Sequence, residues 1–129
     1  MNPDDVLRGL RERGLRLTKQ RREIVRILYE RLARGGHPTP EEIYREAKER
    51  APRTSLGTVY STLKMLEKLG YIATFQIGGK THYDKPELHI NVLCEDSGEI
   101  REISDQELIN AFTKEGAKPL SIVVRARCS

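Results

Sequence analysis

SLGTVYSTLKMLEKLG, residues Ser55 to Gly70, is the stretch that decides how the chain is read. At about 100° per residue, Leu56, Val59, Leu63 and Leu66 fall on one side of a helix, and Gly57, Ser61, Lys64 and Lys68 fall on the other, with Tyr60 at the border. The pattern predicts a helix with an apolar flank for a core and a slim, basic flank for solvent or a partner. Gly57 leaves room for close approach, the Ser61 hydroxyl suits a base edge or a phosphate, and Lys64 and Lys68 suit phosphate oxygens. Thr58 and Tyr60 adjoin the same flank, where Tyr60 can meet a thymine methyl or a phosphate. The same face on an isolated helix is equally consistent with lysines that only keep the protein solvated.

Three helices are predicted before it. Asn2-Pro3 opens the first, which runs to about Leu10 and stops at Gly14. Thr18 caps the second, whose Ile24, Ile27, Leu28 and Leu32 recur at helical spacing until Gly35-Gly36. Thr39-Pro40-Glu41-Glu42 is a capping box with proline at the first helical position, and its helix runs to about Arg50 before Pro52. After Gly70 the period changes to two. Tyr71, Ala73, Phe75 and Ile77 alternate, Gly78-Gly79 turns the chain at Lys80, and Thr81-His82-Tyr83 returns. Helices followed by a two-stranded hairpin make a winged helix-turn-helix, in which the last helix enters the major groove and the hairpin lies along the flanking backbone.

Charge divides the chain in the same place. Residues 1–84 carry 17 basic against 11 acidic side chains, and residues 85–129 carry 6 against 8, so only the first part suits a polyanion. Pro86 and this reversal mark a linker, and the expected domains are 1–84 and 85–129. Beyond it, His89–Cys94 and Ile100–Ile103 read as strands around Asp96-Ser97-Gly98. Ser104-Asp105-Gln106-Glu107 reads as a second capping box opening a helix to about Lys114, and Leu120–Val124 as a last strand. The expected fold class is α+β, an N-terminal winged helix followed by a small α/β dimerisation domain. About 40 residues is near the lower limit for independent folding, which favours burial against a second copy.

The 129 residues leave no room for a barrel enzyme, and the absence of tryptophan argues against a single-strand binder built on aromatic platforms. No apolar run reaches membrane-spanning length and MNPDD lacks the pattern of a secretion signal, so a cytoplasmic protein is expected. His82 and His89 have no nucleophile at recognisable spacing and no glycine-rich phosphate loop follows a strand, which argues against an enzyme.

Gly14-Leu15-Arg16-Leu17-Thr18-Lys19-Gln20-Arg21, His37-Pro38-Thr39-Pro40-Glu41-Glu42-Ile43-Tyr44 and Ser55–Leu63 closely resemble, in order and spacing, the ferric-uptake-regulator (Fur) family of repressors, as do Gly78-Gly79-Lys80…Tyr83-Asp84 and His89…Cys94. The resemblance implies a dimeric, metal-responsive transcriptional regulator, usually a repressor, on inverted-repeat operators, with no small organic ligand. It makes Arg16 the minor-groove residue and Tyr60 the major-groove contact, with Gln20, Arg21 and the wing residue Lys80 on the same DNA-facing side. Relatives usually carry arginine after this tyrosine, where this chain has Ser61, so base preference is expected to differ.

The resemblance further implies one regulatory metal at the hinge between domains, held by His37, Asp84, His89 and Asp105, a set suited to Fe²⁺, Mn²⁺ or Zn²⁺. The fifth position, commonly histidine, is Asn91, a weaker ligand. With Fe²⁺ such a site can sense peroxide through metal-catalysed oxidation. Singly, the four residues read as a loop histidine, a turn residue, a strand histidine and a helix-start carboxylate. Relatives with a structural zinc site use two Cys-x-x-Cys pairs. Here Cys94 has no second cysteine three residues on, and Ser129 follows Cys128, so two thiolates cannot close a tetrahedral site. Cys94 reads first as a small buried strand residue and second as the partner of Cys128 in a disulfide. The rival functions are a metal-independent winged-helix regulator or architectural DNA binder, and a winged helix that docks an acidic protein.

Overall fold

The computed structural model describes residues 2–129, which form two units, Met1–Pro86 and Glu87–Ser129. In the first, α1 (Pro3–Glu12), α2 (Lys19–Ala33), α3 (Pro40–Arg50) and α4 (Leu56–Lys68) each begin on an oxygen-bearing cap: Asn2, Thr18, Thr39 and Ser55. Each cap accepts a backbone N–H of the first turn, a contribution of about 1 kcal/mol per helix. Pro3 and Pro40 occupy first helical positions, where the missing N–H costs nothing. Arg50 joins α3 to α2 through Glu30 at 2.9 Å, and Arg31 joins α2 to α3 through Glu42 at 3.0 Å.

Val6, Leu10, Ile24, Leu28, Ile43, Leu63 and Leu66 are fully buried and form the heart of this unit's core. The apolar flank of α4 differs from its expected composition at one end. Leu56 is 40% exposed, whereas Thr62 is 1% exposed. A helical side chain covers the turn before its own Cα, and Leu56, at the first position of α4, has only the incoming loop behind it. Thr62 is tolerated inside because its hydroxyl donates to the Thr58 carbonyl at 2.7 Å, leaving no unsatisfied donor. In α2 the apolar stripe widens to include Val25 and Tyr29, and Leu32 is only partly buried.

The hairpin pairs β1 (Ala73–Ile77) with β2 (Lys80–Asp84), Phe75 lying opposite His82 and Thr74 opposite Tyr83. Gly78 and Gly79 have φ of 56° and 77°, the two positive values that a two-residue type I′ turn demands. Tyr71 precedes the strand. The face turned to the helical core is that of Ile72 and Tyr83, and the face carrying Phe75 and Ala73 is the opposite one.

The second unit is a three-stranded sheet of order β4-β3-β5, with β3 (Ile90–Cys94) antiparallel to β4 (Ile100–Ile103) and parallel to β5 (Ile122–Ala126). α5 (Gln106–Lys114) supplies the connection that a parallel pair requires. Its cap is Asp105, one residue later than the expected Ser104, and the Asp105 carboxylate accepts from the Glu107 and Leu108 amides. The last strand also starts later than expected, leaving Leu120 90% exposed. Buried apolar side chains are few here, chiefly Ile90, Cys94 and Ile109, while Ile103, Leu108, Phe112 and Val124 are exposed. Cys94 and Cys128 form a disulfide, which joins the end of β3 to the chain after β5 and replaces the reading of Cys94 as a simple core thiol.

That disulfide closes a loop of sequence separation 34 in a unit with little core, equivalent to about 4 kcal/mol of unfolded-state entropy in the chain-closure description. Reduction, or Cys94→Ser with Cys128→Ser, is expected to lower the urea midpoint of the second unit and leave that of the first unchanged. Superimposable oxidised and reduced curves, followed by hydrogen exchange in β3 and in α2, would contradict this.

Candidate nucleic-acid interface and metal-ligand pairs

Burial of Val59, Leu63 and Leu66 in the helical core leaves the opposite flank of α4 outward, and Gly57, Ser61, Lys64 and Lys68 are all exposed. Thr58 is half-buried, its hydroxyl 2.9 Å from the Ser55 hydroxyl at the helix start. A Cβ added at Gly57 would meet nothing closer than the Ser55 Oγ at 3.9 Å. Nothing in the fold therefore demands glycine there, and an exposed helical glycine costs up to about 1 kcal/mol relative to alanine.

Tyr60 is 44% exposed and its hydroxyl donates to Glu41 Oε1 at 2.8 Å. That bond holds the Glu41 carboxyl below its usual range and the Tyr60 phenol above its own. Glu41 and Tyr60 share a concave surface with Gly79 and Lys80 of the wing, where Lys80 is exposed. Arg16, in the loop before α2, is also exposed. Its carbonyl accepts from Arg21 Nη1 at 3.1 Å and the next carbonyl, of Leu17, from Arg22 Nη1 at 2.9 Å. These two guanidinium groups clamp the loop that presents Arg16, a positioning role for Arg21 that sequence reasoning did not assign. Gln20 sits in the first turn of α2, half-buried.

His37 and Asp84 belong to the first unit, with His37 Nε2 3.7 Å from Asp84 Oδ1 and both side chains largely buried. In the second unit His89 Nε2 lies 3.2 Å from Glu102 Oε1. Glu102 was not among the expected ligands, and Asp105, which was, caps α5 through Oδ1. The register explains this. Asn91 lies opposite Glu102 in the β3–β4 pair, and His89 precedes Asn91 by two, so all three share one face of the sheet. Counting outward from the Asp96-Ser97 turn gives the same pairing, a signal present in the sequence. Asn91 is buried in β3.

His37, Asp84, His89 and Glu102 are side chains that could hold a metal ion. Two imidazoles and two carboxylates are a donor set of the borderline kind taken by Fe²⁺, Mn²⁺ and Zn²⁺. Two donors each about 2.1 Å from one ion lie roughly 3–3.5 Å apart, close to the spacing within each pair. The residues present therefore fit such an ion.

A basic helix face beside a wing, joined to a small mixed-sheet unit and a set of His and carboxylate ligands, defines a class: DNA-binding transcriptional regulators of winged-helix type. The model of the ferric uptake regulator family matches residues 12–123, and the chain belongs to that family. The ferric uptake regulation protein homolog of Archaeoglobus fulgidus is 33% identical over 119 residues, covering 92% of this chain and 90% of that protein. The peroxide-responsive repressor PerR of Staphylococcus saprophyticus is 31% identical over 99 residues, 75% of this chain and 65% of the relative. Among solved structures, the Helicobacter pylori ferric uptake regulator Fur, described as having three functional metal-binding sites, superposes with a TM-score of 0.74 at 28% identity, over 98% of this chain and 88% of that one. A zinc-bound manganese uptake regulator gives 0.69 at 26% identity, with both chains covered in full. The protein is a transcriptional regulator and not an enzyme, and no helix among the described residues is long and apolar enough to cross a membrane.

Gly57→Ala should separate stability from recognition. The metal-free protein is expected to gain up to about 1 kcal/mol from helix propensity, while duplex affinity falls because a methyl group intrudes on the contact face. Thermal unfolding and a mobility shift check the two halves, and equal or tighter duplex binding would remove the face of α4 from the interface.

Proposed function

We propose that the protein is a dimeric repressor whose hold on an inverted-repeat operator is set by one divalent metal ion. The observation that carries the DNA reading is the exposed Gly57, Ser61, Lys64 and Lys68 flank of α4, with Arg16 clamped and Lys80 at the wing. Lys64, Lys68 and Lys80 supply phosphate contacts, and Tyr60 reads a base. Its hydroxyl proton is committed to Glu41, so the oxygen can only accept, and a phosphate oxygen also only accepts. That chemistry favours the thymine methyl, or an adenine or cytosine amine, over the backbone.

The metal reading rests on the donor set. His37 with Asp84, and His89 with Glu102, are each too few to satisfy a first-row divalent ion, and we assign both pairs to one ion, with Asn91 beside them as a weak fifth donor. Bound there, the ion supplies a positive charge that fixes the separation of the reading helices in the dimer. When the ion is Fe²⁺, the same imidazoles are exposed to metal-catalysed oxidation, which supports peroxide as a second signal. The exposed Ile103, Leu108, Phe112 and Val124 support dimerisation through the second unit, whose own core is small. The protein works in the cytoplasm, where its operator is, and needs no organic ligand.

Elemental analysis with a mobility shift on the protein's own promoter tests the proposal. Operator affinity is expected to rise at least about tenfold with Mn²⁺, Zn²⁺ or anaerobic Fe²⁺ relative to chelator. Identical affinity in all conditions would leave a metal-independent regulator. Lys64→Ala or Lys68→Ala should each reduce the slope of log K against log salt by about one. A flat salt dependence in the parent protein would favour docking to an acidic protein instead.

A further inference from the structure

We propose that His82, a residue with no assigned role, is the positioning residue that fixes the peptide of His37 to wing strand β2, so that the metal-ligand pair and the DNA-facing wing move as one piece. The proposal rests on the metal reading for its consequence, though not for its geometry. His82 lies in the middle of β2, two residues from Asp84 and two from Lys80. Its Nδ1 is 2.7 Å from the backbone carbonyl oxygen of His37. A carbonyl only accepts, so Nδ1 carries the proton, which selects the tautomer of the ring. The next amide on β2, that of Tyr83, donates to the carbonyl of Pro38 at 2.9 Å. Two consecutive carbonyls of the segment bearing His37 are thus held by two consecutive residues of one strand.

The rings support the same attachment. Phe75, opposite His82 in register, stacks on the His82 ring with centroids 5.6 Å apart and planes 20° from parallel. Phe75 meets the His37 ring edge-on at 5.4 Å. Phe75 is 3% exposed yet stands outside the helical core cluster, so its packing serves this three-ring arrangement. Because side chains alternate along a strand, His82 and Asp84 share the face of β2 on which His37 rests. A shift of the wing at Lys80 must therefore drag the His37 peptide, and a change at His37 and Asp84 must be felt along the same five-residue strand. The position is open to solvent only in part, and the imidazole is held by stacking as well as by its hydrogen bond.

The test uses the full chain with His82→Leu, which removes the donor, and His82→Asn, whose amide nitrogen can replace Nδ1. Co²⁺, followed by its visible absorption, is the metal probe. The leucine variant is expected to bind Co²⁺ at least about tenfold more weakly, and the asparagine variant within about threefold of the parent. In the metal-free proteins, exchange of the Tyr83 amide should quicken at least about tenfold in the leucine variant only. Parent-like exchange in a folded leucine variant, or equal loss of Co²⁺ affinity in both variants, would overturn the positioning role. If the parent itself binds no Co²⁺, the metal reading fails, and the exchange rates alone decide whether His82 holds the peptide. Should the leucine variant not fold, the asparagine variant decides: parent-like exchange supports the role, and quickened exchange counts against it.

Discussion

The burial of one flank of α4 is the constraint on which the rest of the first unit depends. Val59, Leu63 and Leu66 are fully enclosed by the other helices, and a rigid helix with one flank enclosed must turn the other outward. Each fully buried leucine contributes roughly 1.5–3 kcal/mol against exposure, far more than any surface lysine contact. The core thus decides which way Gly57, Ser61, Lys64 and Lys68 face, and the basic flank accepts that direction. The hydroxyl of Thr62, satisfied by the Thr58 carbonyl, lets a polar residue stand where the apolar flank would otherwise break.

Around that helix, polar groups act mainly as fixtures. Arg21 and Arg22 hold the Arg16 loop by its carbonyls, Glu41 holds Tyr60, and His82 holds the His37 peptide. Each fixture reduces the freedom that a contact residue would lose on binding, and so reduces the entropic cost of recognition. The clamp on the Arg16 loop acts on its backbone, because both guanidinium groups bind main-chain carbonyls. The second unit follows a different economy. Its sheet and single helix enclose few apolar residues, and the disulfide between Cys94 and Cys128 constrains what the core does not.

Membership in the ferric uptake regulator family gives these features a common purpose, and departures from the family pattern show where this chain has changed. By the resemblance, Ser61 stands where arginine is expected and leaves a short hydroxyl on the exposed flank of α4. Asn91 replaces an imidazole with an amide, yet the carboxylate opposite it, Glu102, remains beside His89. Cys94 and Cys128 are joined directly to each other.

Much of the first unit was legible as sequence because local chemistry specified it. Thr18, Thr39 and Ser55 cap the helices they precede, Gly78-Gly79 takes the two positive φ values of a type I′ hairpin turn, and the period of the apolar residues sets each element. What differed from expectation had both local and distant causes. Leu56 matched the apolar pattern, but nothing lies over the first turn of α4 to bury it. Asp105, expected as a ligand, also caps α5 through Oδ1, as its place at a helix start allowed. Glu102 was within reach of a count outward from the Asp96-Ser97 turn, whereas the disulfide and the grip of His82 on His37 depend on residues tens of positions apart. Sequence fixes local hydrogen bonds and periodicity through neighbours along the chain, whereas only the folded structure brings a thiol 34 residues away or a carbonyl 45 residues away within bonding distance.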